Sequence, residues 1–129
     1  MSEFLTDLDI KLRSDSDKIY ILKSELIYLS DTLGKIIIPE GFQTDFASVP
    51  RVPFIYEAWG DRAHREAVLH DYLYRKDSKP YVTFMDANRA FLEAMESRDK
   101  PIHIRYPMFW GVVIGGYPSY HKKYVGDEL

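Results

Sequence analysis

The chain has 129 residues, enough to bury a core without disulfides, and its lack of Cys excludes thiolate zinc sites and cysteine nucleophiles. Its formal net charge of -3 combines both signs along the chain without a basic stripe, so nucleic-acid binding is not expected. The four histidines show no zinc-type spacing, which disfavours a dedicated zinc site.

The N-terminal part of the chain predicts an antiparallel sheet. Apolar and polar residues alternate over Leu8–Leu12, the segment Lys18–Leu29 is rich in Ile, Tyr and Leu, and Lys35–Pro39 is a short Ile run. Turn-forming residues separate them at 14–17 and 30–34. We therefore predict a meander of about three strands, with the sheet part at about 8–47. The acidic first residues do not form the positively charged start of a signal peptide, so none is expected.

The segment Gly41–Arg51 follows the last predicted strand and is rich in turn-forming residues. The side chains of Thr44, Asp45 and Ser48 are of types that bond nearby backbone amides. One interpretation is a rigid connector between sheet and helices. The other is that Asp45 and Ser48 project into a functional pocket, where Arg51 holds an anionic group.

A helical hairpin is predicted next. Residues 61–75 contain no Gly or Pro, and His70 and Tyr74 recur on one face of the helix that they predict. A second helix is predicted from Thr83, its N-cap, to about Arg98. Because the link between them is short, the two helices are expected to pack antiparallel.

A third helix is predicted near the C-terminus, with Pro107 in its first turn and Gly115 at its end. Its apolar run is far shorter than the roughly 20 residues that cross a bilayer. Base rates favour burial of its Phe109 and Trp110, the alternative being contact with a membrane or a partner. The polar tail Lys122–Leu129 is predicted to fray.

These elements predict one α+β domain over residues 1–129. The N-terminal antiparallel meander is expected to pack on the helical hairpin, and a C-terminal helix completes the fold. The helical part is placed at about residues 61–121.

Two residues of the predicted hairpin have the chemistry of a general base. At about 1.5 Å per residue, His70 lies about 7 Å before the end of the first helix and Asp86 about 4 Å into the second, so they are nearly level. A bond from Asp86 to one ring nitrogen would leave the other nitrogen to take a proton from water. The alternative is a buried His bonded to a carboxylate only to satisfy its polar atoms, with Asp86 capping its helix.

The sequence His-Asp-Tyr-Leu-Tyr-Arg at residues 70–75, followed by Asp86 on the next helix, resembles the paired active-site helices of secretory phospholipase A₂ enzymes, especially the small prokaryotic ones. The resemblance implies that His70 is the general base for an attacking water and that Asp71 binds calcium. It also implies that Asp86 orients the His and that Tyr74 supports it. Since this chain lacks the Gly-rich calcium loop of that family, oxygens of the preceding turn-rich segment would have to complete the calcium site.

A second resemblance runs from about Ile38 to Gly115. The motif Gly-Phe-Gln-Thr-Asp-Phe-Ala-Ser-Val-Pro-Arg at residues 41–51, followed by the His-Asp helix and by Asp86, is similar to a family of small proteins of undefined function encoded by tailed bacteriophages and prophages. This resemblance implies a phage context, with synthesis in the host cytoplasm. It implies no reaction.

Two functions fit these observations. One is a small phage-encoded hydrolase in which His70 and Asp86 activate water to cleave an ester or amide of lipid or cell envelope, with calcium at Asp71 as an optional aid. Ser48 is disfavoured as a nucleophile because no glycines flank it. The other is a non-enzymatic virion component of the tail or neck, or an assembly component. In that case the His, Asp and Tyr residues form a structural core network, and Tyr and Phe surfaces dock neighbouring phage proteins.

Overall fold

The computed structural model describes residues 2–46 and 64–129. Within these ranges, short β-strands precede three α-helices, which confirms the predicted α+β class. None of the helices in these ranges is long and apolar enough to cross a lipid bilayer.

The strands form two small antiparallel sheets. Their bounds are β1 (Glu3–Phe4), β2 (Ile10–Leu12), β3 (Tyr20–Leu22), β4 (Leu26–Ser30), β5 (Gly34–Ile38) and β6 (Gln43–Thr44). One sheet has the order β1-β4-β5 and the other β2-β3-β6, so the prediction of a single meander is wrong in this detail. The segment predicted as one long strand divides at the exposed, polar residues Lys23, Ser24 and Glu25, and its two halves enter different sheets.

The hairpin between β4 and β5 forms as the turn residues predict. The Ser30 hydroxyl accepts the backbone N–H groups of Thr32 and Leu33 at 3.2 and 3.1 Å. Gly34 has φ +80°, a conformation that side chains with a Cβ rarely adopt. The register pairs Tyr28 with Ile36, and both side chains are buried on the same face of the sheet.

The α-helices are α1 (His64–Leu73), α2 (Phe84–Ser97) and α3 (Ile102–Gly115), and a 3₁₀ helix follows at Tyr117–Ser119. Thr83 is the N-cap of α2, as predicted, and its side chain accepts the backbone N–H of Asp86 at 3.1 Å. α3 ends where the glycines predict, but it begins earlier than expected and contains Pro107 in its interior. Because Pro107 lies on the exposed side of α3, water can satisfy the carbonyl that loses its partner.

The core lies mainly between the strands and the helical hairpin. Buried residues of the strands and of α1 meet three small residues of α2: Ala87, Ala90 and Ala94. A second cluster joins α2 to α3 and contains Phe91, Met95, Ile104, Met108 and Val112. The helices that carry the predicted site are thus held from both sides.

The C-terminal segment is anchored, so the prediction that it frays is wrong. The backbone N–H of Lys76 donates to the carbonyl of Lys123 at 2.8 Å, and the backbone N–H of Val125 donates to the carboxylate of Asp77 at 2.7 Å. Both bonds use backbone groups of the tail. The polar side chains of the tail therefore do not predict them.

Candidate functional site

The end of α1 brings His70 against α2. The Nε2 atom of His70 lies 2.8 Å from the Oδ1 atom of Asn88, and the Tyr74 hydroxyl donates to the same oxygen at 2.7 Å. The His70 ring packs against the rings of Tyr74 and Phe91, with centroids 4.0 and 5.0 Å away. The imidazole is 0% exposed, so its position is determined by packing as well as by the hydrogen bond.

The hydrogen bonds at Asn88 define the tautomer of His70. An amide oxygen can only accept, so Nε2 of His70 carries the proton that it shares with Asn88. In the neutral ring, Nδ1 is then the unprotonated nitrogen. Burial lowers the pKa of His70 to about 4, although the bond to Asn88 acts in the opposite direction. At neutral pH the ring is therefore uncharged.

The prediction of a hydrogen bond between His70 and Asp86 is wrong. The carboxylate of Asp86 pairs with Arg89 at 3.4 Å, and its side chain is 45% exposed. Asp86 and Asn88 are two positions apart on α2, which corresponds to about 200° around a helix, so they face in nearly opposite directions. His70 meets the first turns of α2, as the spacing predicts, but its partner there is Asn88 and not Asp86.

A signal for Asn88 was present in the sequence. Phe84, Asn88, Phe91 and Met95 follow the spacing i, i+4, i+7 and i+11, so Asn88 is a polar residue within an apolar helix face. Asn is disfavoured in helix interiors, and a buried one needs polar partners. Its Nδ2 atom is buried and has no hydrogen-bond partner among the described residues.

Asp71 lies beside His70 in the sequence but forms a different contact. Arg75 donates to its carboxylate at 3.1 Å, one helical turn later. Burial raises the pKa of Asp71, against the Arg75 guanidinium and the Thr44 hydroxyl, which lower it, while the charge of Asp45 adds to the rise. The structure thus brings Thr44 and Asp45 to the Asp71 side of α1.

The residues around Asp71 do not make an evident calcium site. Ca²⁺ takes about six to eight oxygen ligands, and Arg75 already occupies this carboxylate. Within residues 2–46 and 64–129, no group of three His, Asp or Glu side chains is placed to hold a metal ion. The calcium role of Asp71 stays a prediction.

Arg75 ties the site to the sheet and to the C-terminal segment. It is buried, and it donates to the carbonyl of Gln43 at 3.0 Å and to the carbonyl of Tyr124 at 3.1 Å. Its guanidinium also lies 4.7 Å above the centre of the Phe42 ring. These contacts explain why the segment after α3 is held in place.

The predicted loop residues are only partly described. The Thr44 hydroxyl accepts the backbone N–H of Phe46 at 3.1 Å, as expected of Thr44 in a turn. Phe46 has φ 60°, an uncommon conformation for an aromatic residue, and its ring stacks on His64 at 4.9 Å. Ser48 and Arg51 lie outside the described residues.

Gly116 completes the site from the end of α3. A Cβ atom at this position would lie 2.4 Å from the Tyr74 hydroxyl oxygen and 2.5 Å from the carbonyl oxygen of Val112. Only glycine leaves room for the Tyr74 hydroxyl to reach Asn88. The sequence indicated a helix end here, but not this contact.

The sequence also gave no indication of a buried ion cluster at the other end of α1. Glu66 is fully buried, and its carboxylate lies 3.0 Å from Arg98 and 3.7 Å from Lys100. Burial raises its pKa, while the nearby charges of Lys100, Arg98 and Arg65 act to lower it. This cluster fastens α1 to the turn between α2 and α3.

The comparisons with known proteins place the chain in a family. No curated protein and no solved structure matches it. One family model matches residues 20–112, which span most of the chain, including β3 to β6, α1, α2 and most of α3. The chain therefore belongs to the family described as "Protein of unknown function (DUF1353)".

Proposed function

We propose that this protein is a small phage-encoded hydrolase in which His70 acts as the general base toward a water molecule. The bond cleaved is an ester or amide of a lipid or of the cell envelope. One arrangement supports this function: Asn88 accepts hydrogen bonds from both His70 Nε2 and the Tyr74 hydroxyl. It is the arrangement that the phospholipase resemblance implies, with Asn88 in the place expected for an acid.

The proposed chemistry assigns a role to each member of this group. Asn88 and Tyr74 hold the imidazole in the tautomer whose Nδ1 is the basic nitrogen. As the water attacks the carbonyl carbon, Nδ1 takes its proton and His70 becomes an imidazolium. The same proton can then pass to the leaving group. The buried Nδ2 of Asn88 is a donor that can bind an oxygen beside the ring.

Asn88 also determines how strong this base is. A carboxylate would stabilise the imidazolium by its charge, whereas a neutral amide does not. This agrees with the pKa of His70, which burial lowers to about 4. His70 is therefore a weak base whose ring is uncharged at neutral pH.

The test is hydrolysis by the parent protein and by two matched variants. The substrates are phosphatidylglycerol vesicles, followed by fatty-acid release, and purified peptidoglycan, followed by release of new amino groups. His70→Gln should lower the rate by about 10² to 10⁴, and His103→Gln, at an exposed His of α3, should not change it. Each assay is run with calcium and with a chelator, which also tests the predicted role of Asp71.

Two outcomes would count against the hydrolase. One is that the parent cleaves neither substrate. The other is that His70→Gln and His103→Gln have equal rates while circular dichroism shows both to be folded.

A second function, that of a non-enzymatic virion or assembly component, is favoured by one observation. The His70 ring is fully buried and its pKa is about 4, as expected for a residue that satisfies a polar core. In this case the protein should comigrate with purified phage particles. His70→Gln should then lower the melting temperature and leave no catalytic defect, because there is no catalysis to lose.

A further inference from the structure

The side of α3 that points away from the core is apolar. Four large side chains spaced four residues apart are exposed on it, and we call them the outer face: Ile102 (64%), Tyr106 (40%), Trp110 (55%) and Ile114 (82%). The opposite side of α3 packs Ile104, Met108 and Val112 against α2. The prediction that Phe109 and Trp110 are buried thus holds for Phe109 only.

The outer face carries no formal charge. α3 contains no acidic residue, and Arg105 is its only Lys or Arg. The Arg105 guanidinium donates to the carbonyl of Lys100 at 3.0 Å and lies 5.6 Å from the centre of the Tyr106 ring. The four side chains of the outer face therefore contribute no like charges when two copies of this face meet.

The order of the four side chains is symmetric about Met108. Ile102 and Ile114 lie six positions on either side of it, and Tyr106 and Trp110 lie two positions on either side. Two antiparallel copies of α3 related by a two-fold axis would thus place each isoleucine against an isoleucine and each tyrosine against a tryptophan. A C2 interface requires such a self-complementary surface.

The spacing and the area also suit a helix pair. Side chains at i, i+4 and i+8 form the ridges that interdigitate when two helices cross at about -50°. With Tyr117, which is 67% exposed just beyond α3, the side chains expose roughly 600 Å². A standard interface buries about 800 Å² per partner. The neighbouring exposed residues His103 and Pro107 add to this area.

We propose that the outer face of α3 binds the same face of a second copy of this chain. The two helices are antiparallel, and the two-fold axis crosses the outer face at the level of Met108 along the helix. The protein is then a dimer whose interface is separate from the His70 group. The dimer does not depend on whether His70 is catalytic.

Sedimentation over a range of concentrations tests the dimer. The parent should sediment as a concentration-dependent dimer. Trp110→Lys, and separately Tyr106→Lys, should weaken association by at least about tenfold because each places two like charges in the apolar interface. Ile37→Lys is the control, since Ile37 is an exposed isoleucine of β5. Its association should equal that of the parent.

A parent that stays monomeric at all concentrations would overturn the proposal. So would variants at 106 and 110 that dimerise as well as the parent. Flotation of the monomeric parent with lipid vesicles, lost in Trp110→Lys, would assign the outer face to a membrane surface instead.

The direction of the two helices is tested by cross-linking, because the chain has no Cys of its own. A mixture of the Ile102→Cys and Ile114→Cys variants should form the mixed disulfide in preference to either self-linked dimer. Preferential self-linking would indicate a parallel pair and contradict the proposed symmetry. Absence of any cross-link under oxidising conditions would contradict the contact itself.

Discussion

At the scale of single residues, Asn88 determines the chemistry available to His70. It accepts from the imidazole and from the Tyr74 hydroxyl within a fully buried environment. An amide holds the tautomer as well as a carboxylate does, but it leaves the imidazolium without a counter-charge. The basicity of the His70 ring therefore depends on one position of α2.

We expect Asn88→Asp to raise the pKa of His70, because a carboxylate 2.8 Å from Nε2 would stabilise the charged ring. The titration of the His70 ring by NMR measures this effect. Asp86→Asn is the matched control: Asp86 pairs with Arg89 and is 45% exposed, so the pKa of His70 should not change. If the pKa of His70 changes in Asp86→Asn and not in Asn88→Asp, Asp86 and not Asn88 is the partner of His70.

Gly116 gives a second residue-level expectation. Gly116→Ala should lower the free energy of unfolding by about 1 to 3 kcal/mol, because its Cβ would meet the Tyr74 hydroxyl at 2.4 Å. Urea unfolding measures the loss. Gly126→Ala, where nothing lies within 4 Å of the added Cβ, is the control.

The Tyr74→Phe background identifies the cause of this loss. Without the hydroxyl, part of the cost of Gly116→Ala should disappear, and the contact with the Val112 carbonyl accounts for the rest. Equal costs in both backgrounds would mean that the hydroxyl is not the obstacle.

At the scale of elements, α1 is held at both ends by buried polar groups. Near its N-terminal end Glu66 meets Arg98 and Lys100, and beyond its C-terminal end Arg75 bonds the carbonyls of Gln43 and Tyr124. Between these anchors lie His70 and its partners. The helix that carries His70 is thus held by contacts that are distant from His70 in sequence.

We expect Glu66→Gln to destabilise the protein by about 1 to 3 kcal/mol, since it replaces the carboxylate 3.7 Å from the buried Lys100 by a neutral amide. Thermal or urea unfolding measures the loss. Glu96→Gln, at an exposed position near the end of α2, should have little effect.

A double variant separates charge from packing in this cluster. If Lys100→Met is added to Glu66→Gln, the apolar replacement should recover part of the stability. If the double variant loses more free energy of unfolding than the two single variants lose together, Glu66 and Lys100 do not stabilise each other as a pair.

At the scale of the whole molecule, stability should depend on pH through His70. Burial lowers its pKa from 6.5 to about 4 in the folded state, so the unfolded chain binds one more proton between these values. The stabilisation from the neutral ring is complete above the unfolded pKa and is lost as the pH falls through the folded pKa. The difference between the two pKa values corresponds to about 3 kcal/mol.

The comparison of parent and His70→Gln by urea unfolding from pH 7.5 to pH 4 isolates this effect. Burial raises the pKa values of Asp71 and Glu66, so their contribution has the opposite sign and is lost as the pH rises. This contribution is common to both proteins, so it cancels in the difference between their free energies of unfolding. That difference should become smaller as the pH falls from 7.5 to 4. A difference that does not change with pH would contradict a buried, neutral His70.

Much of the architecture follows from local signals that the sequence contains. Thr83 caps α2, the Ser30 turn with Gly34 closes the β4–β5 hairpin, and the separation of strands from helices gives the α+β class. Each of these depends on interactions within a few residues. For the same reason the sequence could place His70 and Tyr74 on one face of a helix.

The tertiary structure alone decided which residues meet across elements. The rotation of α2 about its axis, set by the packing of its alanines against the sheet side, selected Asn88 instead of Asp86 as the partner of His70. The approach of Gly116 to Tyr74 and the outward turn of Trp110 likewise depend on how distant segments pack. Local propensity acts over a single turn of chain, whereas these contacts depend on the shape of the whole core, which no short stretch of sequence contains.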